Sequence, residues 1–105
     1  MDKMASLKEI LEQDPTNAFA RYGLAMEYAG QGETAAALAE FDRLLVDHPE
    51  YTAGYFMAAQ TLARGGREAE AKQRLADGIA CARKSGNQHA QREMQAMLDE
   101  MEIPE

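Results

Sequence analysis

One stretch of the chain occurs twice, and the interval between the two copies is constant along much of the sequence. The segment LKEILEQDPT at residues 7–16 returns as FDRLLVDHPE at residues 41–50, so a 34-residue shift brings Pro15 onto Pro49. The same shift pairs small residues with identical ones: Ala25 with Ala59, Ala29 with Ala63, Gly32 with Gly66, Ala35 with Ala69, and Ala37 with Ala71. A constant period of this length is typical of repeat proteins, in which each unit buries its apolar face against its neighbours. The period therefore predicts a stack of similar units.

Each unit is predicted to contain two helices joined by a glycine turn. In the first unit, apolar side chains at helical spacing predict a helix from about residue 17. Gly32 is expected to end this helix because glycine adopts the left-handed conformation readily. A second helix is predicted from about Glu33 to Asp47, since Pro49 excludes the preceding residue from the α region. The second unit repeats the pattern with helices at 51–64 and from 67 to about 83.

Shorter helices are predicted on both sides of the two units. Residues Ser6 to Glu9 have the spacing of a capping box, which predicts a helix that begins there and ends near Asp14. After Ser85-Gly86-Asn87, a last helix from Gln88 carries an apolar stripe. The stripe consists of Ala90, Met94, Met97, Leu98 and Met101. The sequence thus predicts an all-α fold of about six antiparallel helices, arranged as helix-turn-helix repeats.

The repeated alanines indicate where the helices cross. Axes of packed helices approach to roughly 8–10 Å, and large side chains at the crossing prevent the closest approach. Four alanines are predicted at such crossings: Ala25, Ala37, Ala59 and Ala71.

A 34-residue helix-turn-helix unit of this kind resembles the tetratricopeptide repeat. The residues that carry the resemblance are Leu24, Ala25, Tyr28, Ala37, Phe41 and Pro49 in one unit, and Tyr55, Ala59, Ala71 and Leu75 in the next. Arg21, Gly78 and Arg83 depart from the pattern, at places where the family usually has a bulky aromatic residue, an alanine and a proline. The resemblance implies a single domain over 1–105, with an N-terminal half-repeat helix at 1–15, repeats at 16–49 and 50–84, and a capping helix with an acidic tail at 85–105.

The charge of the chain argues against nucleic acid and membranes as partners. Eighteen acidic residues stand against 11 basic ones, giving a net charge of −7, and Arg83-Lys84 is the only adjacent basic pair. Such a surface repels phosphate backbones and anionic lipids. No apolar run approaches the roughly 20 residues that a membrane span needs, and the N-terminal stretch lacks the apolar core of a signal peptide. With one cysteine and therefore no internal disulfide, the expected location is the cytoplasm.

No combination of residues predicts catalysis, a metal site or a cofactor. His48 and His89 lie in different units without a cysteine at metal-ligand spacing, so His48 is interpreted as a loop residue. Cys81 is interpreted as a half-buried apolar side chain near a helix end. The acidic end is interpreted as a solvated helix terminus rather than a cation site; it consists of Asp99, Glu100, Glu102 and Glu105. We therefore expect a non-enzymatic protein.

The family resemblance implies that the first helix of each repeat lines a concave groove. The residues expected in this groove are Phe19, Tyr22, Met26, Ala53, Phe56, Met57 and Gln60, with Arg64 at its edge. Family members that grip a C-terminal carboxylate use lysine and asparagine here, whereas Tyr22, Met26 and Met57 occupy those places in this chain. Aromatic and methionine side chains instead suit the apolar face of a helix or an extended hydrophobic peptide.

The main functional hypothesis is a protein-interaction module that binds a peptide or helix of a partner protein in this groove. The alternative is a homodimer that uses the same apolar face or the methionines of the last helix. For Met94, Met97 and Met101, packing in the core is the favoured interpretation because a stripe at helical spacing is usually buried. Tyr22 and Phe56 are compatible with either role.

Overall fold

Six α-helices make up most of residues 2–103, the part of the chain that the computed structural model describes. They are α1 (Lys3–Gln13), α2 (Ala18–Gly30), α3 (Thr34–Asp47), α4 (Thr52–Arg64), α5 (Glu68–Ser85) and α6 (Gln88–Met101). Residues 2–103 contain no strand, and the predicted all-α fold with about six helices is confirmed. Glu105 of the predicted acidic tail lies outside the described residues.

The turns that end α2 and α4 have the same backbone conformation and lie at equivalent positions of the two repeats. Gly32 and Gly66 both have φ = +77°, in the left-handed region that favours glycine. In each turn, the N–H of the residue after the glycine donates to the carbonyl oxygen five residues earlier, at 2.9 Å. This pattern satisfies carbonyl groups that the end of a helix leaves without partners. The prediction that these glycines end their helices is therefore confirmed.

Two helix boundaries differ from the prediction. The predicted start of α1 at the Ser6 capping box is wrong, because the helix begins at Lys3. The Asp2 carboxylate accepts a hydrogen bond from the Ala5 N–H at 2.7 Å. Asp2 therefore caps the helix. The helix α5 ends at Ser85, slightly beyond the predicted end near Arg83, and the predicted stop at Ser85-Gly86-Asn87 is confirmed. Its stop is Gly86, with φ = +75°, in place of the proline that closes the first repeat.

The helices form two layers, and the stack curves toward one of them. Each helix packs on the next along the chain, and α2 also contacts α4, which in turn contacts α6. Within residues 2–103, the backbones of α1, α3 and α5 do not approach one another as closely. The layer of α2, α4 and α6 is therefore the more closely spaced of the two, which makes it the concave side.

Small residues allow the helices to approach closely. The alanines predicted at the crossings, Ala25, Ala37, Ala59 and Ala71, are all completely buried. The space between them is filled by large side chains, of which Phe41, Leu44, Leu75 and Met94 are also completely buried. Met97 and Met101 pack against the same core. The interpretation as core packing is confirmed for Met94, while Met97 and Met101 are half-buried against the core.

Arg21 makes in the first repeat the contact that an aromatic residue makes in the second. The hydroxyl of Tyr55 donates to the Pro49 carbonyl oxygen at 2.7 Å. Arg21 occupies the equivalent position of the first repeat, and its Nη2 donates to the Pro15 carbonyl oxygen at 2.8 Å. Its Nη1 also contacts a carboxylate oxygen of Glu40 at 2.6 Å, with both side chains largely buried. The departure from the aromatic pattern therefore preserves the attachment of the loop to the helix.

Candidate functional site

At one end of the concave face, an open apolar depression lies where α2 meets α1, a helix of the outer layer. Phe19, Tyr22 and Met26 lie on one side of α2 because residues three and four positions apart share a helix face. Phe19 is 75% exposed, whereas Tyr22 and Met26 are half-buried. The depression has a volume of about 410 Å³. Its remaining lining residues are Lys3, Ser6, Leu7 and Gly23, and we call it the α1–α2 depression.

Tyr22 belongs both to this depression and to the core. Its ring packs edge-on against Phe41 at a centroid distance of 6.3 Å, and it packs at a tilt against Tyr51 at a centroid distance of 5.3 Å. Burial raises the pKa of the Tyr22 phenol, and Tyr51 adds to the shift. The ring is thus fixed by its neighbours, which leaves a rigid aromatic surface at the edge of the depression.

The second half of the concave face lies between α4 and α6. An open depression of about 510 Å³ is lined there by Phe56, Gln60, Glu93, Ala96, Met97 and Glu100; we call it the α4–α6 depression. Phe56 and Met97 are half-buried and pack against the core beneath it. His89 contacts the carboxylate of Glu93 one turn along α6. Among the described residues, no lysine or arginine lies within ion-pair distance of Glu93 or Glu100.

Five of the eight predicted groove residues line these two depressions, and three do not. Ala53 is exposed on α4 but outside both linings. Met57 is half-buried and packs against the cluster around Phe41. Arg64 is exposed in the last turn of α4. The structure therefore places Phe19, Tyr22 and Met26 in one depression and Phe56 and Gln60 in the other, while Met57 contributes to packing.

Sequence reasoning missed the part of the site that α1 and α6 supply. The 34-residue shift gives no register for α6, because the longer α5 delays the start of that helix. The methionine stripe nevertheless indicates which face of α6 is buried, and so which side chains lie on its flank. Once Met94 and Leu98 are assigned to the core, the flank of the helix holds Glu93, Ala96 and Glu100, which share a face by their spacing.

The outer side of the stack is charged and internally paired. A depression of about 240 Å³ opens between α3 and α5, whose backbones do not approach each other closely. Arg74 bridges it to Asp42 at 2.7 Å. The hydrogen bond from Arg67 lowers the pKa of Glu70 on the same surface. These charges pair with one another on the outer side of the stack.

The histidine and cysteine singled out in the sequence have structural contacts. A ring nitrogen of His48 lies 2.6 Å from the Thr16 carbonyl oxygen, which ties two loops between helices together. Cys81 is half-buried with its Sγ 3.2 Å from the Thr52 hydroxyl. Among the described residues, no group of three or more His, Cys, Asp or Glu side chains is arranged to hold a metal ion. None of the described helices has the length and apolarity required to cross a membrane.

Known proteins resemble this chain over most of its length. It is 28% identical over 96 residues to a TPR repeat-containing protein of Pseudomonas aeruginosa, a match that covers 91% of each chain. It is 32% identical to a tetratricopeptide repeat domain protein from Salinibacter ruber, whose solution structure matches with a TM-score of 0.79 over 84% of this chain and 89% of that one. The solution structure of a Bordetella parapertussis protein matches with a TM-score of 0.83 at 28% identity, over 96% and 88% of the two chains. No protein-family model matches the sequence.

Proposed function

Because the chain belongs to the tetratricopeptide repeat family, a fold that generally serves as a protein-protein interaction module, we propose that it binds a peptide or a helix of a partner protein on its concave face. The ligand contacts would come from Phe19, Tyr22 and Met26 at one end of the face and from Phe56 and Gln60 at the other. Ala53, Met57 and Arg64 would lie along or beside its path.

The observation that carries this proposal is the apolar α1–α2 depression. A single exposed apolar residue on a protein surface is ordinary, but a contiguous apolar hollow marks an interaction site. Here a 75% exposed phenylalanine, Phe19, shares a hollow of about 410 Å³ with Tyr22 and Met26. Rigid aromatic rings supply contact area, and methionine adapts its shape to the ligand.

The proposal includes a non-enzymatic role without a cofactor. It also places the protein in the cytoplasm, where a free thiol such as that of Cys81 stays reduced. The net charge of −7 supports a protein or peptide ligand over nucleic acid.

The test compares two substitutions that introduce the same charge at equally exposed positions. Peptides selected from a displayed random library on the wild-type protein would be measured against Phe19→Glu and Val46→Glu. Val46 is 78% exposed on α3, in the outer layer, so it controls for the new charge. We expect Phe19→Glu to weaken binding by about tenfold or more and Val46→Glu to leave it unchanged. Equal effects of the two substitutions would remove the concave face as the site.

Self-association through the same apolar face is the alternative function. Met94 is completely buried and unavailable for contact, while Met97 and Met101 are half-buried. The α1–α2 depression is therefore the surface that a dimer would use. Light scattering over about a hundredfold range of protein concentration distinguishes the two functions. A dimer that persists on dilution in the wild type and is lost in Phe19→Glu would favour self-association.

A further inference from the structure

The two depressions on the concave face differ in charge. The α1–α2 depression is mainly apolar, and its one charged lining residue, Lys3, is already paired with Glu27 at 3.2 Å. The α4–α6 depression combines an apolar floor with two carboxylates, Glu93 and Glu100, and its described lining contains no cation. The groove therefore runs from an apolar end to an acidic end.

The acidic end has little internal compensation. Within the part of the chain that the structure describes, the ion-pair contact of Glu93 is with the exposed imidazole of His89 and with no lysine or arginine. The Nζ atom of Lys72 lies 3.9 Å from a carboxylate oxygen of Glu102, rather than beside Glu93 or Glu100. Arg92 is exposed on α6 but does not line the depression. Carboxylates beside apolar surface interact more strongly with an incoming cation than carboxylates in open water do.

The spacing of the helices sets the size of a ligand that reaches both ends. Neighbouring helices are separated by about 8–10 Å, so α2 and α6, which lie on either side of α4, are roughly 16–20 Å apart. A helical segment spans this distance with about 11–13 residues, and an extended segment spans it with about five or six. Glu93 and Glu100 lie two turns apart on α6, which is about 10 Å along the helix axis.

We propose that the groove recognises a basic amphipathic segment of a partner protein. Its apolar side chains occupy the α1–α2 depression, and one or two lysine or arginine side chains pair with Glu93 and Glu100. This inference rests on the proposed function and adds the charge and the direction of the ligand. A second copy of this chain is a poor occupant, because its own net charge of −7 opposes the acidic end.

The test begins with a selection whose outcome does not require a known partner. A displayed library of random peptides of about 14 residues would be selected on the wild type and, separately, on the double variant Glu93→Gln/Glu100→Gln. We expect lysine and arginine to be enriched near one end of the wild-type peptides and not in those selected on the variant. The best wild-type peptide would then be synthesised together with a counterpart in which its basic residues are glutamine.

Binding constants of these two peptides supply the quantitative test. The wild type should prefer the basic peptide by about fivefold at low salt, the size expected for two partly exposed ion pairs. The preference should shrink at higher salt and disappear in Glu93→Gln/Glu100→Gln. The control Glu68→Gln/Asp77→Asn removes the same two charges from α5, outside both depressions, and should keep the preference.

The possible failures separate the two proposals. One outcome is that selected peptides lose binding to Phe19→Glu but contain no excess of basic residues and bind Glu93→Gln/Glu100→Gln as well as the wild type. The charge inference is then overturned, and the assignment of the groove as the binding site stands. If no peptide is selected, or if the selected peptides bind Phe19→Glu as tightly as the wild type, both proposals are overturned.

Discussion

Gly78 lies where α4, α5 and α6 meet, and replacing it with alanine should destabilise the protein. A Cβ atom at this position would stand 2.5 Å from the Sδ atom of Met94 and 2.7 Å from the Cβ atom of Tyr55. Ordinary contacts between such atoms are about 3.5–4.0 Å. The Tyr55 Cβ is attached to the backbone of α4, and Met94 is completely buried, so neither atom can move out into solvent.

The free energy of unfolding then reflects two opposing effects. Alanine favours a helix over glycine by about 1 kcal/mol. Overpacking a filled core costs about 1–3 kcal/mol, and two contacts that are both about 1 Å too short place Gly78→Ala at the upper end. We therefore expect a net loss of about 2 kcal/mol, or a fall in Tm of about 10 °C.

Gly30 provides the matched control. It is the last residue of α2, and a Cβ there would have no neighbouring atom within 4 Å. Gly30→Ala should therefore stabilise the protein by about 0.5 kcal/mol. The same chemical change is thus expected to have opposite signs at the two positions.

Urea denaturation followed by circular dichroism measures both variants against the wild type. A double-mutant cycle with Met94→Ala isolates the sulfur contact, since Gly78→Ala should cost about 1 kcal/mol less once that contact is gone. If Gly78→Ala proves as stable as Gly30→Ala, the close approach of the three helices at Gly78 is wrong.

Further predictions concern the packing of the core and the ionisation of Tyr55. Ala37→Leu should destabilise the protein by about 1–3 kcal/mol because Ala37 is completely buried at a helix crossing, whereas the exposed Ala35→Leu should not; equal melting temperatures would contradict this. Tyr55→Phe should cost about 1 kcal/mol in urea denaturation by removing the donor to the Pro49 carbonyl oxygen. Burial, followed by Cys81, raises the pKa of Tyr55, so the native state holds this proton more tightly than the unfolded state does. The wild type should consequently lose stability as the pH rises above about 10, and Tyr55→Phe should lose less; parallel pH curves would refute the assignment.

The fold could be predicted from the sequence because the same local conformational and steric constraints recur every 34 residues. Gly32 and Gly66 require the same left-handed turn, and Ala37 and Ala71 meet the same steric limit at a crossing. Each of these constraints acts within a few residues or between adjacent helices. The helix pairs follow from them without knowledge of the rest of the chain.

The acidic half of the candidate site could not be predicted in this way. Its position depends on where α5 ends, and α5 runs past Arg83 to a glycine stop instead of closing at a proline. The added residues change the register of α6, so the 34-residue shift no longer identifies which side chains face Phe56. By contrast, Phe19, Tyr22 and Met26 could be placed on one face because they belong to a single helix with a regular spacing.

The departure at Gly78 shows how packing accommodates a sequence difference at a buried position. Leu44 occupies the equivalent position of the first repeat, is completely buried, and fills the space beside Gly54, where a Cβ would meet its Cδ2 at 3.1 Å. In the second repeat the sizes are exchanged, because Gly78 is small and its neighbours Tyr55 and Met94 are large. Cores tolerate such exchanges when the total volume is kept. A difference at a buried position is thus offset by a neighbour within the chain.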